Sequence, residues 1–129
     1  MENDNIDWSP VVEWFGYKPK FHDAEVVSIE LYRSPAPSII RIHTFTMTSE
    51  VDEKGYFVLD KHAIVAFKLT NIEAQNISAW NHQNALMGLD ISVVPAGHRL
   101  EMEAAYGVDG YVVARHIDVE VQPVQKDDI

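Results

Sequence analysis

Hydrophobic and polar residues alternate along most of this chain with a period of two, which is typical of β-strands that bury one face. The segments with this character are 25–33, 39–47, 63–69, 85–94, 99–106 and 111–121. Breaks rich in proline or glycine separate several neighbouring segments and favour antiparallel hairpins. The pattern therefore predicts an antiparallel, meander-like sheet of about six or seven strands.

A single short helix is predicted before the sheet. Ser9 precedes Pro10, a pair typical of helix starts, and the Ser9 side chain is expected to accept a hydrogen bond from an early backbone N–H. An apolar stripe follows, and Gly16 suits the end of a helix that packs on the sheet. The predicted fold class is α+β, mainly β, in a single domain spanning 1–129 with loose termini at 1–7 and 123–129.

Two polar segments are predicted as connections between strands. Residues 48–61 are charged and contain Gly55 near their centre, so we expect a long connection in which 56–59 is at most a short strand. Residues 71–84 are rich in Asn and Gln, whose side chains bond backbone groups in turns. A shaped loop or a short irregular strand is expected there.

The composition is that of an ordinary globular protein, with 47% hydrophobic and 23% charged residues, which excludes a disordered or collagen-like chain. The sequence contains no cysteine, so disulfide frameworks, thiolate zinc sites and cysteine nucleophiles are excluded. No run approaches the roughly 18 apolar residues of a membrane helix, and no membrane partner is expected. The acidic N-terminus is unlike a signal peptide and favours a cytoplasmic location.

Acidic residues strongly outnumber basic ones. The chain has 20 Asp and Glu against 10 Lys and Arg, a formal net charge of −10 at pH 7. This charge repels phosphate backbones, so nucleic acid is not expected as a partner. It either keeps the protein dissolved or steers it toward a basic protein partner. Under the second interpretation, Asp52, Glu53 and Asp60 form an acidic rim around the binding surface.

The segment from Phe21 to Glu25 combines an imidazole and two carboxylates. In an extended conformation Asp23 and Glu25 share one face, where together with His22 they could bind a metal ion or act as an acid/base pair. The alternative is structural, in that His22 and Asp23 bond to each other and to backbone groups and fix the start of a strand.

Two histidines further along the chain suggest a second arrangement. His43 and His62 lie on or beside strands predicted to be neighbours, so their side chains could face each other across the ladder. Together with His22 they would form a three-histidine zinc site with one position open for water. The alternative is that each histidine lies separately on a solvated face.

Residues 80–84 have the most unusual local composition, Trp-Asn-His-Gln-Asn. An aromatic ring beside amide and imidazole groups suits a recognition surface, and the candidate binding residues are Trp80, Asn81, His82 and Asn84. The alternative is a buried loop whose amides bond backbone groups. The sequence contains neither a Gly-x-Ser-x-Gly elbow nor a glycine-rich phosphate loop, so we assign no catalytic residue, expect no cofactor and predict that the protein is not an enzyme.

Several of these segments resemble the immunity protein 50 family. The resemblance is carried by Phe21 to Glu25, by 81–84 followed by Gly88 and Leu89, and by Tyr106-Gly107 with Gly110. It covers residues 15–122. It implies a small binding protein that neutralises a bacterial toxin by direct contact, with its His-Asp and Asn-rich segments either facing the toxin or determining the fold.

Three hypotheses about function follow from these patterns. The leading one is an immunity protein with a basic toxin as partner, in which Trp80 is an aromatic anchor inside the acidic rim. The second is a metal-binding protein or metal-dependent enzyme that uses His22, Asp23 and Glu25. The third is a structural homodimer that pairs through an exposed sheet edge or face.

Overall fold

The computed structural model describes residues 6–125. Its elements, in chain order, are α1 (Ser9–Phe15), β1 (Glu25–Glu30), β2 (Ser38–Val51), β3 (Phe57–Ser78), β4 (Ala85–Val94), β5 (Gly97–Tyr106) and β6 (Asp109–Pro123). All strand pairs are antiparallel, in the order β1-β2-β3-β6-β5-β4. The prediction of a mainly-β α+β fold with one short helix is confirmed.

The sheet closes on itself into a barrel. The long pairing of β3 with β6 joins the first three strands to the last three, and β1 meets β4 on the other side. The β1–β4 contact is short: Asp23 N–H donates to Leu86 O (2.9 Å), Leu86 N–H to Ala24 O (2.8 Å) and Val26 N–H to Asn84 O (2.9 Å). We call this contact, formed by residues 23–26 and 84–86, the seam.

Alternate strand residues fill the barrel, as the period of two predicts. The largest of the fully buried side chains are Phe67, Ile40, Ile42, Leu69, Leu86, Leu100 and Met102. Aromatic rings from the N-terminal segment complete this core, with the ring of Phe67 lying 5.9 Å from that of Trp8 and 5.8 Å from that of Phe21 in edge-on contacts. The segment before β1 is therefore part of the core.

Helix α1 buries Val11 and Phe15 and ends at Gly16, whose left-handed backbone (φ 84°) suits a glycine C-cap. Its start differs from the prediction. Ser9 is the first helical residue and its side chain does not cap the helix; instead the Asp7 carboxylate accepts from Ser9 N–H at 3.0 Å. No helix in the described part of the chain has the length and apolar character that crossing a membrane requires.

Residues near both ends of the described chain contact the rest of the fold. Residues 1–5 and 126–129, the outer parts of the termini predicted to be loose, lie outside the described residues. Ile6 packs against the core, β6 continues to Pro123, and Val124 N–H donates to His62 O at 3.0 Å. Ile6, Pro123 and Val124 therefore have tertiary contacts.

The two segments predicted as connections are largely strand. β2 and β3 occupy most of 48–61 and are joined by a turn in which the Asp52 carboxylate accepts from the N–H groups of Lys54 (2.9 Å) and Tyr56 (3.0 Å). β3 then continues to Ser78, where it pairs with β6. Both faces of these extensions are largely exposed, so their ladders form without burying a face in the core.

Beyond the barrel, β2 and β3 continue as a two-stranded projection, residues 45–61, which we call the arm. Thr44 and Ala63 are buried, and no residue between them is buried. β1 pairs with β2 only as far as His43, and β6 pairs with β3 only from Ala63. Within residues 6–125, the outer edges of the arm therefore have no neighbouring strand.

Candidate functional site

The turn at Phe21 to Asp23 leads the chain into the seam. Phe21 and Asp23 both have left-handed backbones, with φ of 62° and 65°, which cost energy for residues other than glycine. The burial of the Phe21 ring and the hydrogen bonds from Asp23 and Ala24 to Leu86 and Phe21 hold this conformation. The backbone of the turn thus has a structural role.

Two side chains of this turn, those of His22 and Asp23, point to solvent. His22 Nδ1 lies 3.2 Å from Asp23 Oδ2, and both side chains are exposed, so the contact contributes little to stability. Glu25 is half-buried on β1, opposite His43 on β2 and Ala85 on β4. No group of three or more His, Cys, Asp or Glu side chains among residues 6–125 is arranged to hold a metal ion.

His43 and His62 do face each other across the β2–β3 ladder, as the sequence predicts. His43 Nε2 lies 2.9 Å from His62 Nδ1, and the two rings are within 12° of parallel with centroids 5.2 Å apart. These values describe nearly coplanar rings joined edge to edge by one N–H···N hydrogen bond. The Phe45 ring lies 5.7 Å from the His43 ring and 5.8 Å from the His62 ring. His22 does not complete a three-histidine cluster with them.

Partial burial, and secondly the neighbouring His62, lower the pKa of His43 below its usual value. The His62 Nε2 atom is buried and has no hydrogen-bond partner among the described residues. The N–H···N contact persists when the pair binds one extra proton, because one ring still donates and the other accepts.

The loop at 79–84 is held by Asn84, which is buried. Its Oδ1 atom accepts from the N–H groups of Asn81 (3.0 Å) and Val108 (2.9 Å), and its Nδ2 atom donates to Asn81 O (2.9 Å). Its backbone carbonyl accepts from Val26 in the seam. Asn84 therefore connects the loop, the β5–β6 turn and β1, which corresponds to the structural alternative for this residue.

The other candidate residues of this loop are exposed. Trp80 is 51% exposed, Asn81 and His82 are exposed, and the His82 ring lies 5.8 Å from the Tyr106 ring. Trp80 follows the end of β3, whereas Asp60 lies near the start of the same 22-residue strand. The structure therefore does not bring Trp80 together with the acidic residues Asp52, Glu53 and Asp60, which lie on the arm and its turn.

The model of the immunity protein 50 family matches residues 8–124. The chain belongs to the immunity protein 50 family. Comparisons with curated proteins and with solved structures find no match. The resemblance seen in the sequence is thereby confirmed, and the immunity protein 50 match extends from Trp8, before α1, to Val124, after β6.

Two surface features within the residues matched to the immunity protein 50 family were not predicted from the sequence. One is a groove of about 1000 Å³ between the segment 18–22 and strands β4 and β5. Its charged lining residues are two lysines, Lys18 and Lys20, and four acids, Asp90, Glu101, Glu103 and Asp109. Carboxylates therefore outnumber ammonium groups in the groove.

The second feature is a set of exposed apolar residues on the arm. Met47 (53% exposed), Val51 (57%), Tyr56 (69%) and Phe57 (55%) all lie beyond the barrel core. The spacing of Met47 and Val51 before the turn, and of Phe57 and Leu59 after it, matches a strand period and could have indicated a shared face. The acidic residues of this segment concealed that pattern.

Proposed function

We propose that this member of the immunity protein 50 family binds a cognate bacterial toxin in the cytoplasm and neutralises it by direct protein contact. The observation that carries the proposal is the family match over residues 8–124. It spans every described helix and strand, so it applies to the whole fold. An immunity protein needs a binding surface and no chemistry of its own.

The charge supports a basic toxin as the partner. A net charge of −10 on 129 residues attracts a cationic protein and accelerates encounter at low ionic strength. Several exposed carboxylates, including those of Glu53 and Asp60, form no ion pair within the described residues. These groups remain available for a partner.

The test has two steps. The chain is immobilised, exposed at low salt to a lysate of the source organism, and the retained proteins are identified by mass spectrometry. Each retained protein is then expressed in a host with and without this chain, and growth is measured. We expect one retained protein to arrest growth and this chain to restore it. If none of the retained proteins is toxic, or if the chain does not relieve toxicity, the proposal is wrong.

A further inference from the structure

We infer that the arm is the surface that binds the toxin. Its apolar face packs into a cleft of the toxin whose edges carry lysine and arginine. This inference rests on the proposed function and adds the part of the chain that performs it. The arm is separate from the core, since no residue between Thr44 and Ala63 is buried.

The strand register places four apolar side chains of the arm on one face. Val51 lies opposite Phe57, and Met47 opposite Leu59, with a register shift between the two pairs. Directly opposed residues of antiparallel strands point to the same side, and Phe57 and Leu59 are two residues apart on β3, which brings both pairs to the same face. Tyr56, in the turn, adds a further aromatic ring at the tip. Contiguous exposed apolar side chains mark interaction sites, and aromatic residues often dominate binding energy.

The charges of the arm select the partner. Four carboxylates, those of Glu50, Asp52, Glu53 and Asp60, accompany two lysines. One of these, Lys61, is engaged with helix α1, because its Nζ atom donates to Trp14 O at 3.0 Å.

The ion pairs on the barrel give a contrast. Glu30, Glu73, Glu101 and Glu120 each form an ion pair with a nearby arginine or lysine. Within residues 6–125, no arm carboxylate does so. A basic surface complements this pattern, whereas a second copy, which carries the same acids and a net charge of −10, is repelled.

The arm is also ordered in advance of binding. The Asp52 carboxylate closes its turn, and Asp52 N–H donates to Tyr56 O at 2.8 Å. At its base, the Trp14 Nε1 atom donates to Lys61 O at 3.0 Å, and the His43–His62 contact joins the two strands. A preformed arm loses little conformational freedom when it binds, which favours affinity.

The test compares three variants against the wild-type chain. The apolar variant carries Met47→Ser, Tyr56→Ser and Phe57→Ser. A matched control carries Tyr32→Ser, Met87→Ser and Val93→Ser, which are similarly exposed at 53%, 51% and 54% but lie outside the arm. The charge variant carries Glu50→Gln, Glu53→Gln and Asp60→Asn. Thermal melting verifies that each variant folds.

The probe is the toxin identified by the capture experiment, purified on its own. We expect the apolar variant to raise the Kd by tenfold or more, roughly the loss of one or two hot-spot contacts, and the control to stay within about twofold. The charge variant is expected to lower the association rate several-fold and to flatten its salt dependence while the dissociation rate changes little. If the apolar variant does not fold, the charge variant still tests whether the arm contacts the toxin.

The outcomes separate this inference from the function on which it rests. If the wild-type chain neutralises the toxin and the arm variants bind as tightly and as fast as wild type, the arm is excluded and the proposed function stands. If the wild-type chain neutralises no retained protein, the function and the arm assignment both fall. A concentration-dependent dimer in sedimentation, abolished in the apolar variant, would assign the arm to a second copy and overturn the inference.

Discussion

His43 Nε2 and His62 Nδ1 lie 2.9 Å apart at the point where the arm leaves the barrel. Beyond His43, β2 has no β1 partner, and the pairing of β3 with β6 begins at Ala63. The imidazole contact thus joins the two strands where their outer neighbours end. Glu25 lies opposite His43 on β1, and Asp60 and Lys61 precede His62 on β3.

The position of this contact predicts a pH dependence of stability. The pKa of His43 is lowered in the folded chain, so the unfolded chain, whose histidine has a pKa of about 6.5, binds the proton more readily. The free energy of unfolding should therefore fall as the pH drops below about 6.5 and be independent of this group at higher pH. Urea denaturation between pH 8 and pH 5 measures it.

The control for this prediction is His43→Gln, which keeps a polar side chain without a titrating ring. Its stability should vary less with pH in the same range than that of the wild-type chain. Equal pH slopes for the two proteins would show that His43 does not carry the effect.

Asn84→Ala is expected to destabilise the chain by about 2–4 kcal/mol, because it removes the acceptor of two backbone N–H groups, one of them buried and the other partly buried. The affected donors are the N–H groups of Asn81 and Val108. Asn81→Ala is the matched change at an exposed residue, whose side chain forms hydrogen bonds only to His82 within residues 6–125, and it should cost under about 1 kcal/mol. Chemical denaturation of both variants measures the difference, and equal losses would contradict the role of Asn84.

Gly107→Ala is expected to cost more than Gly55→Ala, although the two glycines have nearly the same φ, 85° and 86°. A Cβ at Gly107 would collide with the carbonyl oxygen of Gln83, whereas nothing lies within 4 Å of a Cβ at Gly55. Gly55→Ala therefore measures the cost of the left-handed backbone alone, about 1 kcal/mol, and Gly107→Ala should exceed it by at least about 1 kcal/mol. Similar melting temperatures for the two variants would show that the close contact relaxes freely.

Asp52→Ala should loosen the tip of the arm and leave the barrel intact. The change removes the acceptor of the Lys54 and Tyr56 N–H groups. Amide hydrogen exchange should accelerate at Tyr56 and stay unchanged at buried strand residues such as Phe67. Asp52→Asn keeps an oxygen acceptor and should preserve slow exchange, so a loosened arm in that variant would indicate that the charge matters more than the hydrogen bonds.

The sequence predicts the strands that line the core, because their apolar residues alternate, as Leu100 and Met102 do in β5. It does not predict β3 beyond Asn71, where the strand continues through pairing with β6 and most side chains are exposed. The sequence pattern also does not predict that the sheet closes into a barrel. The seam consists of backbone hydrogen bonds such as that from Val26 to Asn84, and all residues except proline carry the same backbone groups.

The candidate site was only partly predictable. The sequence singled out His22 and Asp23 for their imidazole and carboxylate groups, and Asn84 as part of the unusual composition of 80–84; all three lie at or beside the seam. The segments that carry the family resemblance therefore meet where the barrel closes, with Gly107 against Gln83 and Asp23 against Leu86. The arm was not predicted because its apolar residues are interspersed with acidic ones, and such a mixed segment resembles an ordinary solvated connection.

Thr44 and Ala63 are the last buried residues before the arm, so the buried core and the arm consist of different residues. The exposed side chains near the tip of the arm have no place in the barrel core, so their replacement should alter the free energy of unfolding little. Under the proposed role of the arm, stability and recognition are encoded by different residues. A lineage that meets a changing toxin could then substitute arm residues one at a time without losing the fold.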